Sequence, residues 1–303
     1  MDVNKMYRDV KFGINLMLPL PLPIQRVYGF AERIDKLGFD CIWMADHILW
    51  EPDRFTPEVW SVLSAIAART EKVRLGTCVS DPHRRHPAVF AQTTATLDHL
   101  SNGRVIIGLG AGEDMNLDPF GIEHRKPVAK MVEFIDVIRR LWKSDSSNTI
   151  DFNGEFYTLE KANLEIKPIQ ESIPIYIGAN GPKTRKITGK IADGWIPTPF
   201  LETPEIYKEH LQDIKEGVKE ANRSMDEIDT CLIIYTSISD REDIRERASE
   251  DFSIMGNVDE VIEKIDKFIK SGVKNFNLMN VGPDVKEVEK IYVERIIPYF
   301  KGI

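Results

Sequence analysis

The chain has 303 residues, 42% of them hydrophobic, enough apolar mass for one large α/β domain. Its formal net charge of −8 argues against nucleic acid or a membrane surface as a general partner, because both are anionic, although a local basic patch can still hold an anionic ligand. Three cysteines, Cys41, Cys78 and Cys231, lie far apart without metal-ligand spacing, which suits a reducing cytoplasm and predicts no metal site.

The start, MDVNKMYRDVK, is polar and charged, unlike a signal peptide. The apolar stretch from Phe12 to Ile24 is too short to span a bilayer and carries Pro19, Pro21 and Pro23, so a soluble, cytoplasmic protein is expected. Short apolar runs then recur: FGINLM from Phe12, CIWMA from Cys41, VRLGTCV from Val73, VIIGLGAG from Val105, IPIYIGA from Ile173, GWIPT from Gly194, CLIIYTSI from Cys231 and NFNLMNV from Asn275. Runs without strict alternation predict strands buried on both faces, as in a parallel sheet.

Amphipathic segments fill the gaps. Ile24, Val27, Ala31 and Ile34 share one helical face, and Gly38 is placed to end that helix. Pro127 can open another at its first position, with Val128, Met131, Ile135, Ile138 and Trp142 as the inner stripe; Pro57, Pro87 and Pro182 mark three further starts. Strand followed by helix, about eight times over, predicts a single (β/α)8 TIM barrel over residues 1–303, with a doubly wound open sheet as the alternative. After the fourth helix, residues 144–168 break the alternation around FNGEFYTLE and predict a short β insertion with an Asn153-Gly154 turn.

Barrels keep their chemistry at the C-terminal ends of the strands. The second strand ends in Asp46-His47, followed by Trp50. An imidazole there can exchange protons with a substrate oxygen, while the plainer reading has Asp46 capping a turn and His47 bonding locally. The fourth strand ends in Gly108-Leu109-Gly110-Ala111-Gly112-Glu113, a GxGxG pattern whose glycines would let a flat ring approach the backbone, with Glu113 as a carboxylate at the mouth or simply a solvated loop residue. On the third strand a packing role suits Cys78 better than a nucleophilic one. His83-Arg84-Arg85-His86 reads as a surface loop feeding the Pro87 helix, since two His at this spacing lack a third metal ligand. Gly178-Ala179-Asn180-Gly181-Pro182-Lys183 runs into a helix with Arg185, Lys186 and Lys190, which suits a phosphate at the helix start or an ordinary helix start.

With these residues in view, the sequence resembles the luciferase-like superfamily of flavin and deazaflavin enzymes, and within it the branch that uses coenzyme F420. The resemblance runs through ADH at Ala45 to His47, GTCV at Gly76 to Val79, HPAVFAQTTATLDHLSNGRV from His86, GLGAGEDMN from Gly108, FNGEFYTLEKA from Phe152, IYIGANGP from Ile175 and ADGWIPT from Ala192. It implies a non-prolyl cis peptide at Cys78-Val79 backing the ring. It implies cofactor contacts at Asp46, Cys78, Val79, Ser80, Ala111, Gly112, Glu113 and Asn116, and a phosphate-binding turn at Ala179, Asn180 and Gly181. It sets His47, Trp50 and Thr198 toward the substrate, and it implies a homodimer.

Segments are similar to F420-dependent secondary alcohol dehydrogenases (GAGE-x-MN, NFNLMNVGPDV) and to methylenetetrahydromethanopterin reductases (FGIEHRKPV from Phe120). There are departures. Asn15 stands where the reductases carry an acid. Trp50 follows His47 by three residues where the dehydrogenases have four. Leu201 stands where sugar-phosphate relatives place a phosphate-binding lysine, which argues against a sugar phosphate. A quick passage from the seventh strand to the Val258 helix implies a more open pocket. The expected activity is hydride transfer between C5 of F420 and a small organic substrate, with catalytic roles for His47, Glu113 and Asp46. In it Asp46 orients the His47 imidazole and Glu113 manages a proton at the ring. The rivals are an FMN-dependent monooxygenase and a non-catalytic cofactor-binding protein.

Overall fold

All eight apolar runs form strands. In the computed structural model, which describes residues 3–16, 23–50, 56–199, 201–239, 252–282 and 284–302, the strands are β1 Lys11–Asn15, β2 Cys41–Met44, β3 Arg74–Thr77, β4 Val105–Gly110, β5 Ile150–Asn153, β6 Thr158–Ala162, β7 Ile175–Gly178, β8 Gly194–Trp195, β9 Asp229–Ile238, β10 Ser253–Gly256 and β11 Asn275–Asn280. The order β9-β11-β1-β2-β3-β4-β7-β8, with β8 also pairing β9, closes a ring of eight strands into a TIM barrel. The helices are α1 Val3–Arg8, α2 Arg26–Leu37, α3 Val59–Ala67, α4 Pro87–Leu100, α5 Asp114–Leu117, α6 Pro127–Lys143, α7 Pro182–Ile191, α8 Pro204–Glu220, α9 Val258–Ser271, α10 Val285–Ile291 and α11 Ile297–Lys301. None of the described helices is long and apolar enough to cross a membrane.

The chain falls into two compact units. Residues 1–17, 33–43 and 176–303 make the first. Within it β1 pairs in parallel with β11 and β2, and Phe12 stacks on Phe276 at 5.4 Å. Burying each such ring stabilises the fold by about 1.5–3 kcal/mol. β10, absent from the expected strands, extends this unit's sheet beyond β9, from Ser253↔Tyr235 to Gly256↔Ile238. Four residues next to a charged stretch are too short a run to stand out by pattern. The segment expected to shorten the passage to α9 lies largely in residues 240–251, outside the described residues, as do residues 17–22 of the first apolar stretch and its Pro19 and Pro21.

Residues 18–32 and 44–175 make the second unit. Its core is aromatic, with Trp60 and Phe134 each edge-on to Phe90 at 5.1 and 5.0 Å. Met131, Ile135 and Ile138 of α6 are at most 2% exposed and Trp142 6%, so these four members of the stripe read from the sequence face inward, joined by Phe134, while Val128 is half-buried. Val27, Ala31 and Ile34 are buried as expected and Gly38 takes φ +82° at the helix end, whereas Ile24 precedes α2 and is 39% exposed. Pro87, Pro127 and Pro182 occupy first-turn positions. Pro57 does not: α3 starts at Val59, where Glu58 takes the cap by accepting the Ser61 N–H at 2.7 Å. The insertion is the antiparallel hairpin β5–β6, but its turn is wider than Asn153-Gly154. Glu133 of α6 accepts the N–H groups of Glu155, Phe156 and Tyr157 at 2.9, 2.9 and 2.7 Å and holds the loop open.

Candidate active site

In the second unit β3 and β4 pair in parallel, and their ends carry the residues singled out above. The Cys78-Val79 peptide is cis. Across this break the Thr77 hydroxyl takes the place of a backbone rung, donating to the Gly108 carbonyl at 3.0 Å and accepting its N–H at 2.9 Å. Backbone pairing then resumes, Ser80 N–H to Gly108 O at 2.8 Å and Gly110 N–H to Ser80 O at 2.7 Å. A Cβ on Gly108 would strike the Thr77 carbonyl, and one on Gly110 would meet Val79 Cγ2 at 2.7 Å. The space left by these two glycines is therefore filled by the chain's own third strand end, not left for a ring. Gly112, at φ +98°, has the freedom its turn needs, with His83 packed 2.9 Å from where a Cβ would sit.

Asp46 is the hub of a buried charge cluster. Its carboxylate, 2% exposed, accepts from Ser80 Oγ at 2.7 Å, Arg84 Nη1 at 3.1 Å and Arg85 Nη1 at 2.7 Å. Arg84 also pairs with Asp81, and Arg85 with Glu58 at 2.8 Å. The expectation that Asp46 orients His47 is thus corrected: its oxygens are committed to two guanidinium groups and a hydroxyl. Ser80 is fully buried and its hydroxyl is used in the same cluster. Arg84 and Arg85 are likewise not the surface loop expected of them; their side chains are 8% and 18% exposed. Two adjacent cations near a strand-end acid were the signal that reading passed over. His83 bonds the Ala111 carbonyl through Nε2 at 2.9 Å, and His86 caps α4, so both serve the local fold.

His47 is held from other directions. Its ring stacks on Trp50 with centroids 4.8 Å apart, and Nδ1 lies 2.8 Å from the Asn116 side-chain nitrogen and 3.5 Å from Glu113 Oε2. Asn116, 3% exposed, accepts the Ile48 and Leu49 N–H groups at 2.7 and 2.9 Å, tying α5 to the residues after β2. Burial pushes the His47 pKa below the usual imidazole value; Arg84 adds to this, and Glu113 and Asp46 oppose it. A hydrogen bond with the Leu49 backbone also opposes the shift, the Asn116 and Glu113 contacts both engage Nδ1, and the ring is neutral at neutral pH. Glu113 is half exposed beside it.

In the first unit, Asn180 and Thr198 are brought together. The Asn180 amide donates to Thr198 Oγ1 at 2.8 Å and accepts the Thr198 N–H at 3.0 Å, while Arg185 donates to the Asn180 carbonyl. Ala179 is buried and accepts from Trp195 Nε1 at 2.9 Å. Gly181 caps α7 without a side-chain bond, leaving first-turn N–H groups available. The basic helix is mostly spoken for: Arg185 pairs with Asp213 and Lys186 and Lys190 with Glu220. Lys183, exposed at the second helical position, has no ion pair among the described residues. A bare helix start with one available lysine suits a phosphate. In the second unit, half-buried Val79 and Ala111 and exposed Gly112 and Glu113 offer a thin surface with one carboxylate, which suits the edge of a planar heterocycle.

The sequence profile of luciferase-like monooxygenases matches residues 11–268. A protein of Nakamurella multipartita described as F420-dependent glucose-6-phosphate dehydrogenase is 31% identical, over 90% of this chain and 91% of its own length. The 5,10-methylenetetrahydromethanopterin reductase of Archaeoglobus fulgidus is 28% identical, over 96% of this chain and all of its own. Among solved structures, an F420-dependent secondary alcohol dehydrogenase in complex with an F420-acetone adduct superposes with a TM-score of 0.87 at 27% identity, covering 96% of this chain and 99% of that one.

Proposed function

The chain belongs to the luciferase-like monooxygenase family, and on that premise we propose that it is a coenzyme F420-dependent oxidoreductase that exchanges a hydride with the carbonyl or alcohol carbon of a small organic substrate. The observation that carries this reading is the His47 imidazole just after β2, backed by Trp50, held through Nδ1 by Asn116 and neutral at neutral pH. When bound, the deazaflavin supplies the carbon that gives or takes the hydride. The chain's own part is to orient the substrate oxygen at His47 Nε2 and to keep a carboxylate, Glu113, beside the ring nitrogen that faces inward. Val79, Ala111 and Gly112 would border the planar ring, and Asn180, Gly181 and Lys183 would hold a phosphate. The same reading takes residues 1–303 as one domain of a cytoplasmic homodimer.

Ile48, Leu49 and Met115 stand 36%, 43% and 42% exposed around the residues that carry His47 and Asn116, which favours a substrate with an apolar body. Leu201, 47% exposed, adds no charge for a sugar phosphate. The likeness to the Archaeoglobus reductase over its whole length supports a second reading, reduction of a methylene-pterin, in which no hydroxyl proton moves and His47 only positions the substrate. The test mixes purified protein with oxidised and reduced F420, and separately with FMN, and follows absorbance with ketones, secondary alcohols and methylenetetrahydromethanopterin side by side. His47→Ala should lower alcohol or ketone turnover by about 10²–10⁴-fold and pterin reduction far less. Binding of FMN but not F420 would overturn the main reading.

A further inference from the structure

The carboxamide of Asn116 has a fixed sense. Its Oδ1 accepts two backbone N–H groups, those of Ile48 and Leu49, at 2.7 and 2.9 Å. Two N–H donors can face only an oxygen, so the end of the amide 2.8 Å from His47 Nδ1 is the NH2 group. An NH2 donates and does not accept. Nδ1 must therefore be the acceptor, and in the neutral ring the proton sits on Nε2. The second amide hydrogen is in reach of Glu113 Oε2 at 3.3 Å. We infer that Asn116 is a positioning residue that holds His47 in the Nε2–H tautomer, so that the site meets its substrate as a hydrogen-bond donor.

The functional consequence rests on the proposed carbonyl chemistry; the tautomer itself does not. The titratable and charged groups facing the imidazole are Glu113 at 3.5 Å and, through space, Arg84 and Asp46. A neutral imidazole with Nε2–H polarises a carbonyl oxygen without first carrying a charge. With a reduced deazaflavin bound, hydride delivery to the carbonyl carbon would form the new C–H bond while the carbonyl electron pair moved to oxygen. That oxygen takes the Nε2 proton. Solvent, which reaches the half-exposed Glu113 side chain, supplies the replacement proton at Nδ1, leaving an Nδ1–H imidazole beside the Glu113 carboxylate. Asn116 can then turn its donor wholly to the carboxylate. A secondary alcohol, by contrast, needs an open lone pair on Nε2 and must wait for the other tautomer.

The tautomer can be read directly in the unmodified protein labelled with 15N-histidine, by long-range 1H–15N correlation near neutral pH, with His47→Gln used to assign the signal. The expected pattern is a pyridine-type Nδ1 and a pyrrole-type Nε2. Asn116→Asp keeps the shape and the acceptor for Ile48 and Leu49 but turns an oxygen toward Nδ1. It should switch the ring to Nδ1–H and raise its titration midpoint by about one unit or more. Ketone reduction should then fall by about 10²–10⁴-fold in kcat, with KM changed much less. A wild-type ring already in the Nδ1–H form overturns the inference even if the variant does not fold. So does an Asn116→Asp ring that stays Nε2–H. If the wild-type ring is Nε2–H and His47→Gln still reduces ketones at full rate, the tautomer stands and the carbonyl reading fails.

Discussion

Asp46→Asn separates a structural role from a catalytic one. The substitution removes a charge that is 2% exposed and accepts from both Arg84 and Arg85. Truncating one partner of a buried ion pair costs about 3–5 kcal/mol. Here the low end applies, about 3 kcal/mol, because Arg84 keeps Asp81 and Arg85 keeps Glu58. With 303 residues at about 2.1 cal/mol/K each, the unfolding entropy is about 0.6 kcal/mol/K and Tm should drop by about 5 °C. Well below that transition, kcat should change by less than about tenfold, since Asp46 makes no bond to His47. Were Asp46 the residue that orients the imidazole, kcat would instead fall toward the roughly 10⁴-fold loss seen when a catalytic histidine sits in the wrong tautomer. Differential scanning calorimetry and steady-state hydride transfer measure the two effects. A Tm change below about 1 °C would refute the buried-charge argument, and a kcat loss above about 10³-fold would refute the separation from His47.

Three further outcomes follow from the geometry. Because burial holds the His47 pKa below the ordinary value of about 6.5, the ring is neutral at and above that pH. The unfolded chain then binds the proton first, so stability should hold above about pH 6.5, fall between that pH and the lowered folded value, and level off below it; a stability that climbs as pH falls through this window would contradict this. Gly110→Ala should cost about 1–3 kcal/mol by pushing Val79 and should weaken F420 binding in an absorbance titration, whereas Gly29→Ala, with open space around its Cβ in α2, should stabilise by about 0.5–1 kcal/mol. Asn180→Ala loses both bonds to Thr198 and should raise the F420 Kd by about tenfold. Lys186→Ala, whose ion pairs are exposed, should leave that Kd unchanged and cost less than about 1 kcal/mol; equal effects in calorimetric titrations would undo the distinction.

Much of this molecule is local in origin, and that part is legible by eye. Apolar runs such as VIIGLG and CIWM mark strands because both of their faces are covered. Pro87, Pro127 and Pro182 mark helix starts because a first-turn proline sacrifices no intrahelical bond. Pro57 misled because Glu58 offered a better cap one residue later. Placement of His47, Glu113 and Asn180 after strands also follows from the alternation alone, since a barrel strand's end is where its loop begins.

Pairing between side chains is another matter. Asp46 meets Arg84 and Arg85 across 38 and 39 residues, and His47 meets Asn116 across 69. No periodicity records such contacts, because they depend on which strands lie side by side and in what register. So the residue types around the site were determined by the sequence itself: an imidazole, a mouth carboxylate, a glycine-rich strand end and a bare helix start. Only the folded chain decided that Asp46 belongs to the arginines, that Val79 occupies the space beside Gly110, and that the amide of Asn116, its oxygen held by two backbone N–H groups, faces the histidine with its nitrogen.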